Sequence, residues 1–165
     1  MDNSLSLGIR DDILFIEAAG EMRAGDAFAL NDFLIPYLEK TDRRLRIYID
    51  MNRCSYMDST FIGFILSLAG KCGPQGPESV TILNPSEKSK KALKGLFSMD
   101  HLAMEEDAPR PDIPLFRLES QRRGFGDRKN VELVFEAHRR LSEISEENRR
   151  EFRELLEELQ RILEG

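Results

Sequence analysis

One stretch, residues 47–60, most constrains how this chain can fold. An apolar run rich in β-formers ends there in an acidic residue, and a short polar segment comes next. The triplet Asp58-Ser59-Thr60 then precedes a new apolar run. Three oxygen-bearing side chains in that position are typical of a helix N-terminus, because they accept hydrogen bonds from free backbone N–H groups. The stretch therefore predicts a strand, a short loop and a helix.

Strands and helices alternate through the first hundred residues. A hairpin is expected first, because two short apolar segments flank a pair of aspartates. This order predicts an α/β (α+β) fold, with a mixed sheet of four to five strands covered by helices. The predicted strands are 5–10, 13–18, 45–49, 80–83 and 102–105, and the predicted helices are 26–38, 60–72 and 85–97.

A family resemblance rests on the same central stretch. Ile49-Asp50, the segment from Tyr56 to Thr60, and Gly63 together resemble the central motif of the STAS domain. That family includes the bacterial anti-sigma-factor antagonists. Weaker matches are Ala19-Gly20-Glu21-Met22, the fourth predicted strand, and the end of the third predicted helix. The resemblance covers residues 4–108 and implies a STAS fold for them.

The resemblance also implies a function. In the family the first serine after the motif aspartate is phosphorylated, and this residue corresponds to Ser59. The implied protein is a partner-switching regulator, which binds an anti-sigma factor that is also a serine kinase and releases it once phosphorylated. A PP2C-type phosphatase would reverse the modification. The residues expected around the phosphoacceptor are Asp50, Asp58, Thr60, Phe61 and Arg23.

Two of these residues depart from the family pattern. The family usually has Gly where this chain has Phe61, and a bulky ring there is expected to alter the surface that a partner reads. It often has Asp where this chain has Arg23. That guanidinium is expected either to pair with a phosphoserine or to be an ordinary exposed side chain.

Two other functions stay open from the sequence. The first is a scaffold or oligomerisation module, in which the Asp-Ser-Thr triplet is a plain helix cap and Ser59 is not modified. The second is a sensor of a small molecule or nucleotide, a role that the STAS resemblance alone suggests. In each case the chain is expected not to be an enzyme and to need no cofactor.

Composition excludes several classes of function. The net charge of −6 argues against nucleic acid as the main partner, since phosphate neutralisation needs a basic surface. No apolar run is long enough to span a membrane, and the N-terminus lacks a signal peptide, so a cytoplasmic location is expected. Cys54 and Cys72 are expected to be small buried thiols. His101 and His138 stand alone in the sequence, and neither a metal site nor a catalytic triad is predicted.

The C-terminal third differs from the rest. We divide the chain into a STAS-like domain at 1–108, a connector rich in Pro and Gly at 109–129, and an amphipathic helix at 130–165. Roughly thirty residues at 1.5 Å each make a helix of about 50 Å, longer than a small domain. We therefore expect a homodimer through this coiled-coil-like helix, although it can instead dock on its own domain. Its stripe consists of Leu141, Ile144, Asn148, Phe152, Leu155, Leu159 and Ile162.

Overall fold

The computed structural model describes residues 2–40, 45–72, 80–96, 102–120 and 126–165. The predicted Gly-Pro break after residue 72, the side chain of Cys72, and His101 lie outside the described residues. The strands are β1 (Ser4–Arg10), β2 (Ile13–Met22), β3 (Arg46–Met57), β4 (Val80–Leu83), β5 (Ala103–Glu105) and β6 (Phe116–Leu118). The helices are α1 (Ala24–Lys40), α2 (Ser59–Cys72), α3 (Glu87–Leu96), α4 (Arg128–Ser142) and α5 (Glu146–Glu164).

The six described strands form one mixed sheet in the order β5-β4-β3-β2-β1-β6. β2 to β5 run parallel to one another, and β1 is antiparallel to both β2 and β6. The predicted fold class is confirmed: a mixed sheet is covered by helices, and a long C-terminal helix is present. The predicted number of strands was too low, because β6 lies in the segment predicted to be a connector. Nearby prolines predicted a loop for that segment. Its pairing with β1, which is distant in sequence, could not be predicted from the local residues.

β3 is longer than predicted. The expected strand ended at residue 49, but β3 continues to Met57 beside an equally long β2. Shifts in the register between the two strands accommodate the polar residues of β3 within the sheet. One shift falls at Gly20, which has a φ of 80°. Gly20 and Glu21, which resemble the family's turn after the second strand, therefore lie inside β2, at an irregularity that glycine tolerates.

The two faces of the sheet are covered differently. Alternate residues of β2 and β3, such as Leu14 and Ile47, belong to a large core shared with the helices. Phe15, on the opposite face, packs in a small cluster with Leu83 and Ile113. The helices therefore lie on one face, and the segment before β6 covers part of the other.

The predicted helix from 130 to 163 is two helices rather than one. α4 ends at Ser142, and Ser145 begins α5 by accepting a hydrogen bond from the backbone N–H of Asn148 at 3.0 Å. Serine is a favoured N-cap, which explains a break without Gly or Pro. Arg128, at the start of α4, donates to the carbonyl of Leu163 near the end of α5 at 2.8 Å. The pair is thus an antiparallel hairpin, called here the C-terminal hairpin (residues 128–164).

The apolar stripe of this hairpin is mostly buried within the chain. Leu141, Phe152 and Leu159 belong to the main core. Asn148 is also buried, and its amide donates to the carbonyls of Leu96 at 2.5 Å and Leu141 at 3.0 Å. The stripe was expected to be too long to bury wholly on one domain. Folding into a hairpin halves its length and buries most of it, but Leu155 and Ile162 stay exposed. Likewise, Asn148 has its partners inside the chain and does not need a second copy.

Candidate functional site

Asp58 joins the N-termini of two helices. One carboxylate oxygen accepts a hydrogen bond from the backbone N–H of Phe61 at 2.8 Å, which makes Asp58 the N-cap of α2. The other oxygen accepts from the backbone N–H of Ala24 at 2.9 Å, in the first turn of α1. The carboxylate thereby satisfies one N–H group of each helix, groups that no helical carbonyl can reach.

Ser59 is the first residue of α2, and its hydroxyl bonds outside its own helix. Its Oγ lies 2.8 Å from Nε2 of His138 on α4. Nδ1 of the same ring lies 2.7 Å from the carbonyl oxygen of Val134. A carbonyl only accepts, so Nδ1 carries the proton and Nε2 accepts the hydrogen bond that the Ser59 hydroxyl donates.

The imidazole of His138 is deeply buried. The residue is 2% exposed, and the ring of Phe152 packs edge-on against it with centroids 5.0 Å apart. Burial lowers the pKa of His138, and the hydrogen bond to Val134 and the charge of Asp58 oppose this only in part. The ring is therefore neutral at pH 7, which agrees with its accepting a hydrogen bond from Ser59.

A serine hydroxyl donating to a neutral histidine is also the arrangement of a nucleophile and its general base. Here, however, the imidazole is enclosed between α2 and α5, and the two helices leave a substrate little access to it. In this structure the hydrogen bond between Ser59 and His138 joins α2 to α4.

α2 and α4 approach each other closely one turn further along. A Cβ added at Gly63 would overlap with the backbone carbonyl of Ala137, and would lie 2.9 Å from the Cβ of that residue. Only a residue without a side chain fits at this crossing. The N-terminal half of α2 is therefore in direct contact with the C-terminal hairpin.

Two predicted site residues lie inside the protein. Thr60 is 7% exposed and Phe61 is fully buried in the main core. The expectation that Phe61 alters the surface read by a partner is therefore wrong, because the ring does not reach the surface. The ring is part of the main core, which contains residues of the sheet and of the helices.

Asp50 lies far from the other predicted site residues. It accepts hydrogen bonds from the backbone of Asn52 at 2.9 Å and from the amide of Asn84 at 3.2 Å. Because β3 continues to Met57, roughly 20 Å of extended chain separates Asp50 from Ser59. The expectation that Asp50 adds negative charge beside Ser59 is wrong, and it depended on reading this stretch as a loop.

Arg23 lies next to the capped turn of α1. Its guanidinium forms an ion pair with Glu21 at 2.9 Å and stacks over the ring of Tyr56, 4.7 Å from the centroid. Tyr56 is 45% exposed, so this cluster is part of the surface. The adjacent Ala24 N–H binds Asp58, which brings the backbone of Arg23 close to the start of α2.

Sequence reasoning missed His138, since it stood alone in the chain. The signal was nevertheless present: Val131, Val134, His138 and Leu141 recur at three- and four-residue steps, and all four are buried. This spacing places the histidine on the buried side of α4. The contact with Ser59, 79 residues away, had no counterpart in the sequence.

Comparisons with known proteins find similarity in structure rather than in sequence. No family model matches the chain, and no curated protein matches it. The solved structure of the anti-sigma factor antagonist SpoIIAA in its unphosphorylated form matches with a TM-score of 0.48 and 20% sequence identity, over 64% of this chain and 89% of that one. A match at this level identifies no family for the chain.

Two further findings concern the described residues alone. None of their helices combines the length and apolar character needed to cross a membrane. Among them, no group of three His, Cys, Asp or Glu side chains is arranged to hold a metal ion. Cys54 is a free, buried thiol as predicted, and burial raises its pKa.

Proposed function

We propose that this chain is a partner-switching regulator of the anti-sigma-factor antagonist type. An anti-sigma factor that is also a serine kinase would phosphorylate Ser59, and a PP2C-type phosphatase would remove the phosphate. The observation that supports this best is the division of roles at the start of α2. Asp58 caps the helix, so the hydroxyl of Ser59 is not needed for capping, and its modification would leave the cap in place.

Local electrostatics would let the free protein bear the phosphate. A helix N-terminus carries partial positive charge and favours an anion there. Phosphoserine adds about −1.5 to −2 charges at neutral pH, directly beside the carboxylate of Asp58. In an interface with a partner, these like charges would lose water together, so phosphorylation weakens the complex without unfolding the domain.

The alternative is a scaffold module in which Ser59 is never modified. The hydrogen bond from Ser59 to buried His138 favours this function, because it gives the hydroxyl a structural role. A serine that only joins α2 to α4 needs no kinase. Whether Ser59 is phosphorylated distinguishes the regulator from the scaffold.

Ser59→Ala is expected to abolish phosphorylation, and Thr60→Ala is expected to leave it unchanged. The full chain would be incubated with ATP and a candidate serine kinase, and the modification would be read by intact mass. Trypsin releases residues 54–71 as one peptide, whose fragment ions distinguish Ser59 from Thr60, Ser55 and Ser67. Removing the hydroxyl deprives buried His138 of its donor, at a cost of about 1–3 kcal/mol, so circular dichroism must show that Ser59→Ala is folded.

Two results would count against the proposed function. One is a phosphorylated Ser59→Ala chain, which moves the site to another residue. The other is an unmodified Ser59 in chain isolated from its own cells with phosphatases inhibited, which favours the scaffold.

A homodimer through the C-terminal helix stays a prediction. Leu155 and Ile162 of its stripe are 39% and 52% exposed, and they are the part of the stripe that a second copy can still cover. Light scattering is expected to give a dimer for the wild-type chain and a monomer for the double variant Leu155→Lys, Ile162→Lys. Leu156 and Leu163, which pack partly against the core, remain unchanged. A monomeric wild-type chain contradicts this prediction.

A further inference from the structure

The C-terminal hairpin covers the part of α2 that contains Ser59. His138 and Ala137 of α4 contact Ser59 and Gly63, one turn apart on α2. We infer that this hairpin is a removable cover, which must leave α2 before Ser59 is phosphorylated or a partner binds α2. The consequence for phosphorylation rests on the proposed function, whereas the opening of the hairpin does not.

The docked hairpin blocks phosphoryl transfer for a direct reason. In the transfer, a bond forms between Ser59 Oγ and the γ-phosphorus of ATP as the bond from that phosphorus to the β–γ bridging oxygen breaks. ADP leaves, and the hydroxyl proton passes to a base of the kinase. In the docked state that proton lies in a hydrogen bond to Nε2 of His138, on a ring that is 2% exposed. Ser59 itself is half-buried, with α4 packed against its hydroxyl, so a kinase has to displace α4 to bring ATP in line with Oγ.

The phosphorylated chain should not close again readily. A phosphoserine has no hydroxyl proton, so Nε2 of His138 would lose its donor and face negatively charged oxygen atoms. The contact could be kept only if the imidazole took up a proton in a buried site, which desolvation opposes. Phosphorylation therefore weakens the docking of the hairpin on α2.

The buried side of the hairpin is partly polar, which suits a cover that opens. Three buried polar residues lie on the hairpin, namely Asn130, His138 and Asn148. Interfaces within a chain that separate are more polar than permanent ones. The hairpin adds six residues to the main core, whereas the sheet and α1 to α3 supply the larger part of it, including Leu14, Ile47 and Leu93.

α2 would present an apolar surface once the hairpin has left it. Residues 60–68 are all buried, so this part of α2 is enclosed on every side. A helix that is apolar all round has to be covered on all sides. When the hairpin moves away, it exposes an apolar face next to Ser59, and such a face marks a site for a protein partner. The hairpin and the partner would thus compete for α2.

Two substitutions open the cover from opposite sides, and a third serves as their control. Gly63→Ala adds a methyl group to α2 that overlaps with α4, and Ala137→Leu adds bulk to α4 against α2. Gly95→Ala makes the same change on α3, where a Cβ meets nothing within 4 Å. Alanine and leucine are good helix formers, so neither opening variant weakens its own helix.

Hydrogen exchange of the full chain, followed by mass spectrometry, measures the opening without a kinase. In Gly63→Ala and Ala137→Leu, amides of α4 are expected to exchange about tenfold faster or more, since overpacking of this size is destabilising. Amides of β2 and β3 are expected to keep wild-type rates, and Gly95→Ala is expected to match wild type throughout. Equal rates in all four proteins overturn the inference. So does a joint loss of protection in α4 and the sheet, because the hairpin would then be an inseparable part of the core.

Phosphorylation of the same variants tests the consequence. With kinase and ATP, the two opening variants are expected to be modified about tenfold faster than Gly95→Ala. If the hairpin opens and Ser59 is modified at the same rate in all the proteins, the cover does not control the site and the inference fails. If the hairpin opens but Ser59 is modified in none of the proteins, the proposed function fails and the removable hairpin stands.

Discussion

Replacing Asp58 with alanine is expected to lower the free energy of unfolding by about 3 kcal/mol. One carboxylate caps α2 through the N–H of Phe61 and also binds the N–H of Ala24 in α1. The loss combines a helix cap with a second hydrogen bond to a charged acceptor, and both N–H groups are left without a partner. Urea unfolding measures the change. If the free energy of unfolding depends on urea concentration with the same slope as in the wild type, the unfolded state is not affected.

Asp58→Asn is the matched control for this prediction. Its single side-chain oxygen can still cap α2, because asparagine is as good an N-cap as aspartate. The amide nitrogen, however, cannot accept from Ala24. We therefore expect Asp58→Asn to lose about half as much stability as Asp58→Ala. Equal losses, or a loss below about 1 kcal/mol for alanine, would mean that the double cap contributes little.

The sequence predicted elements well where local patterns decide them. The N-terminal hairpin and β4 result from short apolar runs, and the start of α2 results from its cap. The prediction failed where pairing with a neighbouring strand determines the structure. β3 continues through a polar stretch because β2 pairs with it, and β6 exists only by pairing with β1. The residues of β3 and β6 do not themselves show which strand will pair with them.

The candidate site was predicted in part for the same reason. The cap at Asp58 was predicted because capping is local. The packing roles of His138 and Gly63 were not predicted, because they come from the contact of α4 with α2. Phe61 was assigned to the surface since the family has Gly there, but an aromatic ring in the first turn of an enclosed helix is buried. The motif thus predicted where α2 begins, whereas tertiary packing determined what surrounds that point.

Acidification is expected to destabilise the wild-type protein more than His138→Gln. Burial holds the pKa of folded His138 below the ordinary value of 6.5, to which it returns on unfolding. Between the two values the unfolded chain binds more protons, so stability is lost as pH falls below about 6.5, by at most about 1.4 kcal/mol per pH unit. Urea unfolding from about pH 7.5 to about pH 5.5 covers the start of this range.

His138→Gln isolates this effect from other titrating groups. Glutamine cannot be protonated in this range, and its side-chain oxygen can accept the hydrogen bond from Ser59. Buried Asp26, whose pKa is raised by desolvation, acts in the opposite direction, but it does so equally in both proteins. The difference in stability between the two proteins should therefore shrink or change sign as pH falls. A constant difference contradicts the prediction. If hydrogen exchange at low pH shows the loss first in α4, the buried imidazole destabilises the docked hairpin before it destabilises the sheet.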